Sequence, residues 1–167
     1  MNNTLAPSDW QHLREVELLL FREAELADAN LYQEWLALWA RELLYWVPCN
    51  ADDIDPARHI SLIYEDRPKL EERIFRLGTK HAHSQRPQSK LTRLVSNIVL
   101  GDGYDAALGG AVTARFAAVE MRRDRPTIWS GRTRHVLVRE DGRLRIKEKH
   151  VFLVNNDAPM SNMTFVI

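Results

Sequence analysis

The chain has 167 residues, with 23 Lys plus Arg, 23 Asp plus Glu, a formal net charge of zero and 45% hydrophobic residues. This length fits a single domain over residues 1–167. The neutral charge gives no whole-molecule attraction to nucleic acid or to an anionic membrane surface. No apolar run approaches transmembrane length, and the N-terminus lacks a signal-peptide pattern, so we expect a soluble cytoplasmic protein. The single cysteine, Cys49, excludes an internal disulfide or a cluster of thiolates in this chain.

Two helices are predicted near the N-terminus, where apolar residues recur at helical spacing. The first would end near Ala27, and the second would begin near Asn30 and carry Trp35 and Trp39 on one face. Two tryptophans one turn apart are more typical of core or interface anchors than of a ligand cage. A strand over residues 43–47 would follow.

The central part of the chain predicts a strand, a helix and a second strand. Residues 60–64 and 91–100 have strand length and composition. Between them, Asp66 stands where a helix N-cap would be, Pro68 lies just inside the helix, and Gly78 is a plausible stop.

The last part of the chain predicts three strands, over residues 112–121, 128–139 and 143–154. Asp141 and Gly142 are a strong signal for a two-residue hairpin turn between the last two strands. Helices followed by mostly antiparallel strands, with one helix inserted, indicate an α+β fold in which the helices pack on one face of the sheet.

The predicted hairpin turn fixes the cross-strand register, and therefore the face on which each side chain lies. On one face it places four opposing pairs, which are Leu137 with Ile146, His135 with Glu148, Thr133 with His150, and Trp129 with Val154. The opposite face would carry the basic residues Arg132, Arg134, Arg145, Lys147 and Lys149.

This register brings together a candidate pocket set of His135, Glu148 and His150, to which Tyr45 could be added. Two histidines and a carboxylate could hold a metal ion or carry out acid–base chemistry, as in a small dehydratase or isomerase. A hydrogen-bonded polar patch with a structural role explains the same residues and is favoured, because buried polar groups usually pair for structural reasons. A protein-binding module is a third possibility.

Two further groups of residues suggest ligands only weakly. His81 and His83 would share one face of an extended segment, but a metal site needs another ligand and none is evident nearby. Arg122, Arg123 and Arg125 form a basic turn, but acidic residues interrupt the positive charge and no aromatic platform accompanies it. A solvated or partner-facing surface is therefore favoured over nucleic-acid binding.

Six short segments carry a family resemblance through their order and spacing. They are Y-W-V-P from Tyr45, I-S-L-I-Y-E-D-R from Ile60, L-E-E-R-I-F-R-L from Leu70, R-L-V-S-N from Arg93, S-G-R-T-R-H from Ser130 and V-F-L-V-N-N-D from Val151. Over residues 23–167 the chain resembles the small (beta) subunit of Rieske-type aromatic-ring-hydroxylating dioxygenases. The resemblance implies a cone-shaped half-barrel, built on a curved mixed sheet, like that of nuclear transport factor two.

The resemblance also implies a function and partners. This chain would be a non-catalytic structural subunit, and three copies would join three large (alpha) subunits in a hexamer. The large subunit would carry the Rieske [2Fe–2S] cluster and the mononuclear Fe(II), with electrons from NAD(P)H arriving through a reductase. A Rieske cluster needs two Cys and two His, so a chain whose only cysteine is Cys49 agrees with having no cofactor of its own.

Candidate contacts with other subunits lie in the central stretch, where arginines and aromatic residues are favoured interface anchors. They are Tyr64, Arg67, Arg73, Arg76, Arg93 and Asn97. Two simpler explanations remain open. Arg73 and Arg76 could pair with neighbouring glutamates on a solvated helix face, and Asn97 could find its hydrogen-bond partner within the chain.

Overall fold

The computed structural model describes residues 7–52, 54–78, 88–158 and 163–167. Its elements are α1 (Pro7–Asp28), α2 (Tyr32–Leu36), β1 (Trp39–Pro48), β2 (Ser61–Glu65), α3 (Arg67–Gly78), β3 (Lys90–Leu100), β4 (Gly109–Arg122), β5 (Arg125–Glu140) and β6 (Arg143–Leu153). The predicted α+β arrangement, with helices first and one helix inserted among the strands, is confirmed. His81 and His83 lie outside the described residues.

Within the described part of the chain, six strands form one open, mixed sheet in the order β2-β1-β6-β5-β4-β3. The β1–β6 pair is parallel and the other pairs are antiparallel. Because β2 and β3 are the two edges and do not pair with each other, the sheet does not close into a barrel.

The helix α3 begins where the sequence predicts. The backbone N–H of Lys69 donates to the Asp66 carboxylate at 3.2 Å, which is the contact of an N-cap side chain. Leu70 and Ile74 are buried one turn apart, so this helix packs one face against the sheet.

The second helix is shorter than predicted. It ends at Leu36, and Trp39 already belongs to β1. The chain joins the sheet directly after α2, where the N–H of Ile146 donates to the Leu38 carbonyl at 3.0 Å. Trp35 and Trp39 are nevertheless core residues, as predicted, and are 0% and 3% exposed. Their rings meet edge to face with a centroid distance of 5.1 Å, and both also contact the ring of Tyr45.

One face of the sheet, here called the inner face, is covered by the helices and by residues 163–167. The core on this side includes Val16 and Leu20 of α1, Ile146 and Val151 of β6, and Phe165. The opposite face, called the outer face, has no helix among the described residues packed on it. It carries side chains such as Leu94 and Ile128, which are 75% and 71% exposed.

The β5–β6 hairpin has the predicted turn but not the predicted register along its whole length. Asp141 and Gly142 both have positive φ, and Leu137 faces Ile146 as expected. Beyond that pair Val136 faces Glu148, so Lys147 is an extra residue in a β-bulge. From there the register is shifted by one residue, so His135 faces Lys149 and Thr133 faces Val151 rather than the predicted Glu148 and His150. The third predicted pair is also wrong, because the pairing ends with Gly131 opposite Leu153 and Val154 lies beyond the end of β6.

Candidate functional site

A buried ion pair between α1 and β6 lies at the centre of the inner face. Lys149 Nζ is 2.7 Å from Glu23 Oε1, and the two side chains are 4% and 5% exposed. The indole N–H of Trp35 donates to the same carboxylate oxygen at 2.7 Å. Burial disfavours the charged form of Glu23, but Lys149 and Arg93 outweigh burial and lower the pKa of this carboxyl group. Burial also lowers the pKa of Lys149, while the Glu23 carboxylate opposes that change.

A second ion pair fixes the edge strand β3 to the same helix. Arg93 Nε is 2.6 Å from Asp28 Oδ1, and the Arg93 side chain is 3% exposed. The Arg93 backbone N–H donates to Asp28 Oδ2 at 2.8 Å, and its Nη2 donates to the carbonyl of Val166 at 3.1 Å. Arg93, proposed from the sequence as a subunit contact, therefore joins three segments of its own chain.

His135 lies on the inner face beside these ion pairs and is 2% exposed. Neither ring nitrogen has a hydrogen-bond partner among the described residues. Burial, reinforced by the positive charge of Lys149, lowers the pKa of His135 from 6.5 to about 3. The imidazole is therefore neutral at physiological pH.

Tyr45 also lies on the inner face, but its hydroxyl is hydrogen-bonded to the backbone of Ile167. Its hydroxyl donates to the Ile167 carbonyl at 2.7 Å and accepts the Ile167 N–H at 2.8 Å. Burial raises the pKa of Tyr45. Both bonding directions of the hydroxyl are used within the chain, so this tyrosine is poorly placed for acid–base catalysis.

The cavity beside His135 is small. It is lined by Leu20, Glu23, Arg93, Val95, Phe116, Thr133, His135, Lys149 and Ile167, and offers about 20 Å³ to the centre of a water molecule. A space of that size is too small for an organic substrate.

Glu148 and His150, the other two members of the predicted pocket set, lie on the outer face. The bulge at Lys147 reverses the face on which the side chains after it lie. Glu148 Oε2 is 3.7 Å from Arg134 and 3.2 Å from His150 Nε2, in an orientation that forms no hydrogen bond with the histidine. The His150 ring contacts Trp46 edge to face at 5.1 Å. The set is therefore split, with Tyr45 and His135 inside and Glu148 and His150 outside. The predicted basic outer face is also corrected, because Lys149 points inward.

Two further residues of the candidate contact set, Arg67 and Arg73, are bonded within their own chain. Arg67 is held by its own chain, because its guanidinium donates to the carbonyls of Ala40 and Arg41 at 2.5 and 2.8 Å. Arg73 pairs with Glu65 rather than with a neighbour on its own helix, at 2.6 Å.

Three members of the contact set reach the surface. Tyr64 is 45% exposed and lies edge to face with Trp46. Arg76 pairs loosely with Glu72 at 3.6 Å, as the simpler explanation expected for this arginine. Asn97 is exposed at a bulge in β3 with φ of 50°, and it accepts a hydrogen bond from the Ser96 hydroxyl.

Sequence reasoning missed Glu23, Asp28 and the inward position of Lys149. One signal was available for Lys149. Ile146 and Val151 are both buried although they are five positions apart, and strict alternation would place them on opposite faces. An odd spacing between two core residues indicates a bulge. Glu23 had a weaker signal, because it continues the buried stripe of α1 at helical spacing from Val16 and Leu20.

The described residues also bear on metal binding and on membrane crossing. No group of three or more His, Cys, Asp or Glu side chains in these residues is arranged to hold a metal ion. None of the helices in the described part of the chain combines the length and apolar character needed to cross a membrane.

Known structures agree on the class of fold. The beta subunit of benzoate 1,2-dioxygenase from Burkholderia mallei superimposes with a TM-score of 0.71 at 24% identity, over 92% of this chain and 94% of that chain. Naphthalene 1,2-dioxygenase gives a TM-score of 0.79 at 17% identity, over 99% of this chain and 89% of that chain. The expected half-barrel, of the nuclear transport factor two type, is confirmed.

Sequence comparison then gives the family. Residues 22–159 match the family described as ring hydroxylating beta subunit. The chain is 37% identical, over 142 residues, to the small oxygenase component of the p-cumate 2,3-dioxygenase system of Pseudomonas putida, which covers 83% of this chain and 77% of that protein. The chain belongs to the beta-subunit family of aromatic-ring-hydroxylating dioxygenases. It is thus a subunit of an oxidoreductase that works with a large subunit, and the cofactors of the system sit in partner subunits.

The first prediction concerns the buried ion pair. Lys149→Met should destabilise the fold by about 3–5 kcal/mol, because it leaves the Glu23 carboxylate buried and unpaired. The double variant Glu23→Gln/Lys149→Met should recover much of that loss, since no charge then remains in the core. Urea unfolding of the four proteins in this cycle measures the coupling, and strictly additive losses would contradict it.

The second prediction concerns pH. Between pH 6.5 and about 3 the unfolded chain protonates His135 and the folded chain does not. Folding stability should therefore fall as the pH is lowered through this window, by up to about 1.4 kcal/mol per pH unit from this one group. His135→Phe should show a shallower loss of unfolding free energy over the same window. Parallel curves for the two proteins would show that His135 titrates normally.

Proposed function

We propose that this chain is the non-catalytic structural subunit of a dioxygenase that adds both atoms of dioxygen to an aromatic ring. Three copies would support three large subunits, each carrying a Rieske [2Fe–2S] cluster and a mononuclear Fe(II), with electrons from NAD(P)H passing through a reductase. The observation that carries the proposal is the family match over residues 22–159. We place this assembly in the cytoplasm, where NAD(P)H is available.

The inner face supports a structural rather than a catalytic role. Tyr45 is bonded to Ile167, Glu23 is bonded to Lys149 and Trp35, and the space beside His135 offers only about 20 Å³ to the centre of a water molecule. A dehydratase or isomerase needs room for its substrate and an acid–base pair that converges on it. The separation of His135 from Glu148 and His150 by the sheet removes that convergence.

The outer face supports contact with other subunits. Four apolar side chains, here called the outer apolar strip, lie on neighbouring strands of this face: Leu94, Val119, Met121 and Ile128. Their exposed fractions are 75%, 40%, 43% and 71%. Val119 lies directly opposite Ile128, and Leu94 lies opposite Ala117, two residues from Val119 on the same strand. Contiguous exposed apolar surface is typical of a protein–protein interface. The strip and the exposed residues Tyr64, Arg76 and Asn97 are the contacts that we propose.

The third prediction tests the structural role. Co-expression with a large subunit should give a complex with the native mass of three plus three chains and with bound iron. This chain purified alone should contain no iron and have no dioxygenase activity, since the metal centres would belong to the large subunit. Native mass spectrometry and metal analysis of the two preparations make the comparison. Metal or turnover in the chain alone would contradict a structural role and direct attention to His135, Glu148 and His150.

The fourth prediction tests the outer apolar strip. Leu94→Asp should shift the complex to smaller species, because a charge buried in an apolar contact has no partner. Leu108→Asp is the matched control. Leu108 is 73% exposed, much like Leu94, but it lies in the loop before β4 rather than on the outer face. Native mass shows which subunit is lost. If the two variants assemble equally well, the outer apolar strip is not part of the interface.

A further inference from the structure

Two arginines, here called the arginine pair, stand directly opposite each other on the outer face of the sheet. Arg115 of β4 is the register partner of Arg132 of β5, and each alternates along its strand with buried residues of the inner face. Residues in this relation have Cβ atoms about 4.5–5.5 Å apart, and like charges placed there destabilise a sheet. Arg134, two positions further along β5, adds a third cation to the same face.

The chain neutralises this positive charge only in part. Arg132 Nη2 is 2.8 Å from Asp52 Oδ2, and Glu148 lies 3.7 Å from Arg134. Arg115 is exposed and forms no ion pair among the described residues. A local arrangement that opposes stability is expected mainly where it serves a function. The outer face therefore lacks one carboxylate, and a partner can supply it.

A row of aromatic rings, here called the aromatic row, lies beside the arginines on the same face. His150, Trp46 and Tyr64 are successive cross-strand neighbours on β6, β1 and β2. The Trp46 ring meets the other two rings edge to face, at 5.1 and 6.4 Å. Arg134 lies opposite His150 and extends the row toward the arginine pair. Tryptophan, tyrosine and arginine are the residue types that contribute most to binding at protein interfaces.

We propose that the arginine pair and the aromatic row bind an acidic segment of the large subunit, a proposal that rests on the structural role proposed above. Guanidinium groups bind carboxylates through paired N–H donors, so a carboxylate between Arg115 and Arg132 removes their mutual repulsion. Two copies of this chain that met through this face would bring two arginine pairs together, which like-charge repulsion opposes. Charge complementarity therefore favours an acidic surface on the other kind of subunit.

Arg115→Glu tests the proposal, because it should act in opposite directions on the isolated chain and on the complex. In the isolated chain the new carboxylate lies opposite Arg132, so thermal unfolding should occur at the same or a higher temperature. In the complex the new carboxylate meets an acidic partner. The dissociation constant between small and large subunits should therefore rise roughly tenfold or more.

Arg143→Glu is the matched control, because it makes the same change of charge away from the arginine pair. Arg143 is exposed at the start of β6, next to the hairpin turn. Its variant should bind the large subunit as the unmodified chain does. Arg115→Gln removes the positive charge without reversing it. It should weaken binding in the same direction by a smaller factor, and it serves as the test if the reversed variant does not fold.

Native mass spectrometry and salt dependence distinguish the outcomes. The proposal expects Arg115→Glu to release small-subunit oligomers from the large subunits, and expects binding of the variant to depend less steeply on salt. Equal binding by the Arg115 and Arg143 variants would overturn it. So would separation of the small subunits from one another while each keeps its large subunit, since the partner would then be a second copy. If the unmodified chain does not associate with a large subunit at all, the proposed function fails and this proposal fails with it.

Discussion

The ion pair between Glu23 and Lys149 is the contact on which the arrangement of the inner face depends. It joins the long N-terminal helix to the last strand, two elements separated by most of the chain. Removing two charges from water costs several kcal/mol per ion, so such a pair is tolerated only when geometry and further hydrogen bonds compensate. Here the indole N–H of Trp35 supplies one such bond. A second pair, between Arg93 and Asp28, attaches the same helix to the edge strand β3.

The ion pair in turn requires the bulge in β6. Without the extra residue Lys147, the side chain at position 149 would point outward and Glu23 would lose the cation that contacts it directly. The same bulge moves Glu148 and His150 to the outer face, where they contact Arg134 and Trp46. One inserted residue thus decides which polar groups enter the core and which reach the surface.

This division of the two faces explains how a fold with a hollow side can act as a structural subunit. In this chain the hollow side is occupied by aromatic rings, by two ion pairs and by residues 165–167. The polar groups that could have done chemistry are bonded to one another or lie beside a cavity too small for an organic substrate. The outer face instead keeps exposed apolar and aromatic side chains, which is the composition expected of a surface that other subunits cover.

Much of the fold was predictable because its signals are local. The Asp66 cap, the apolar spacing of α3 and the turn at Asp141 and Gly142 each act within a few residues, and each appears in the structure where the sequence predicted it. The order and spacing of the six matching segments were also sufficient to identify the family, and the single cysteine agreed with it. These features depend on neighbours in the chain rather than on distant contacts.

The candidate site was only partly predictable, because its members meet through long-range packing. The sequence by itself determined that His135 points into the core, since it alternates with Leu137 on a regular strand. Only the tertiary structure decided what surrounds it. Lys149 was assigned to the wrong face because a bulge breaks the period of two. Its position is favourable only when Glu23, 126 residues away, lies against the same sheet. Local propensity carries no information about such a pairing, which depends on how the complete core excludes water.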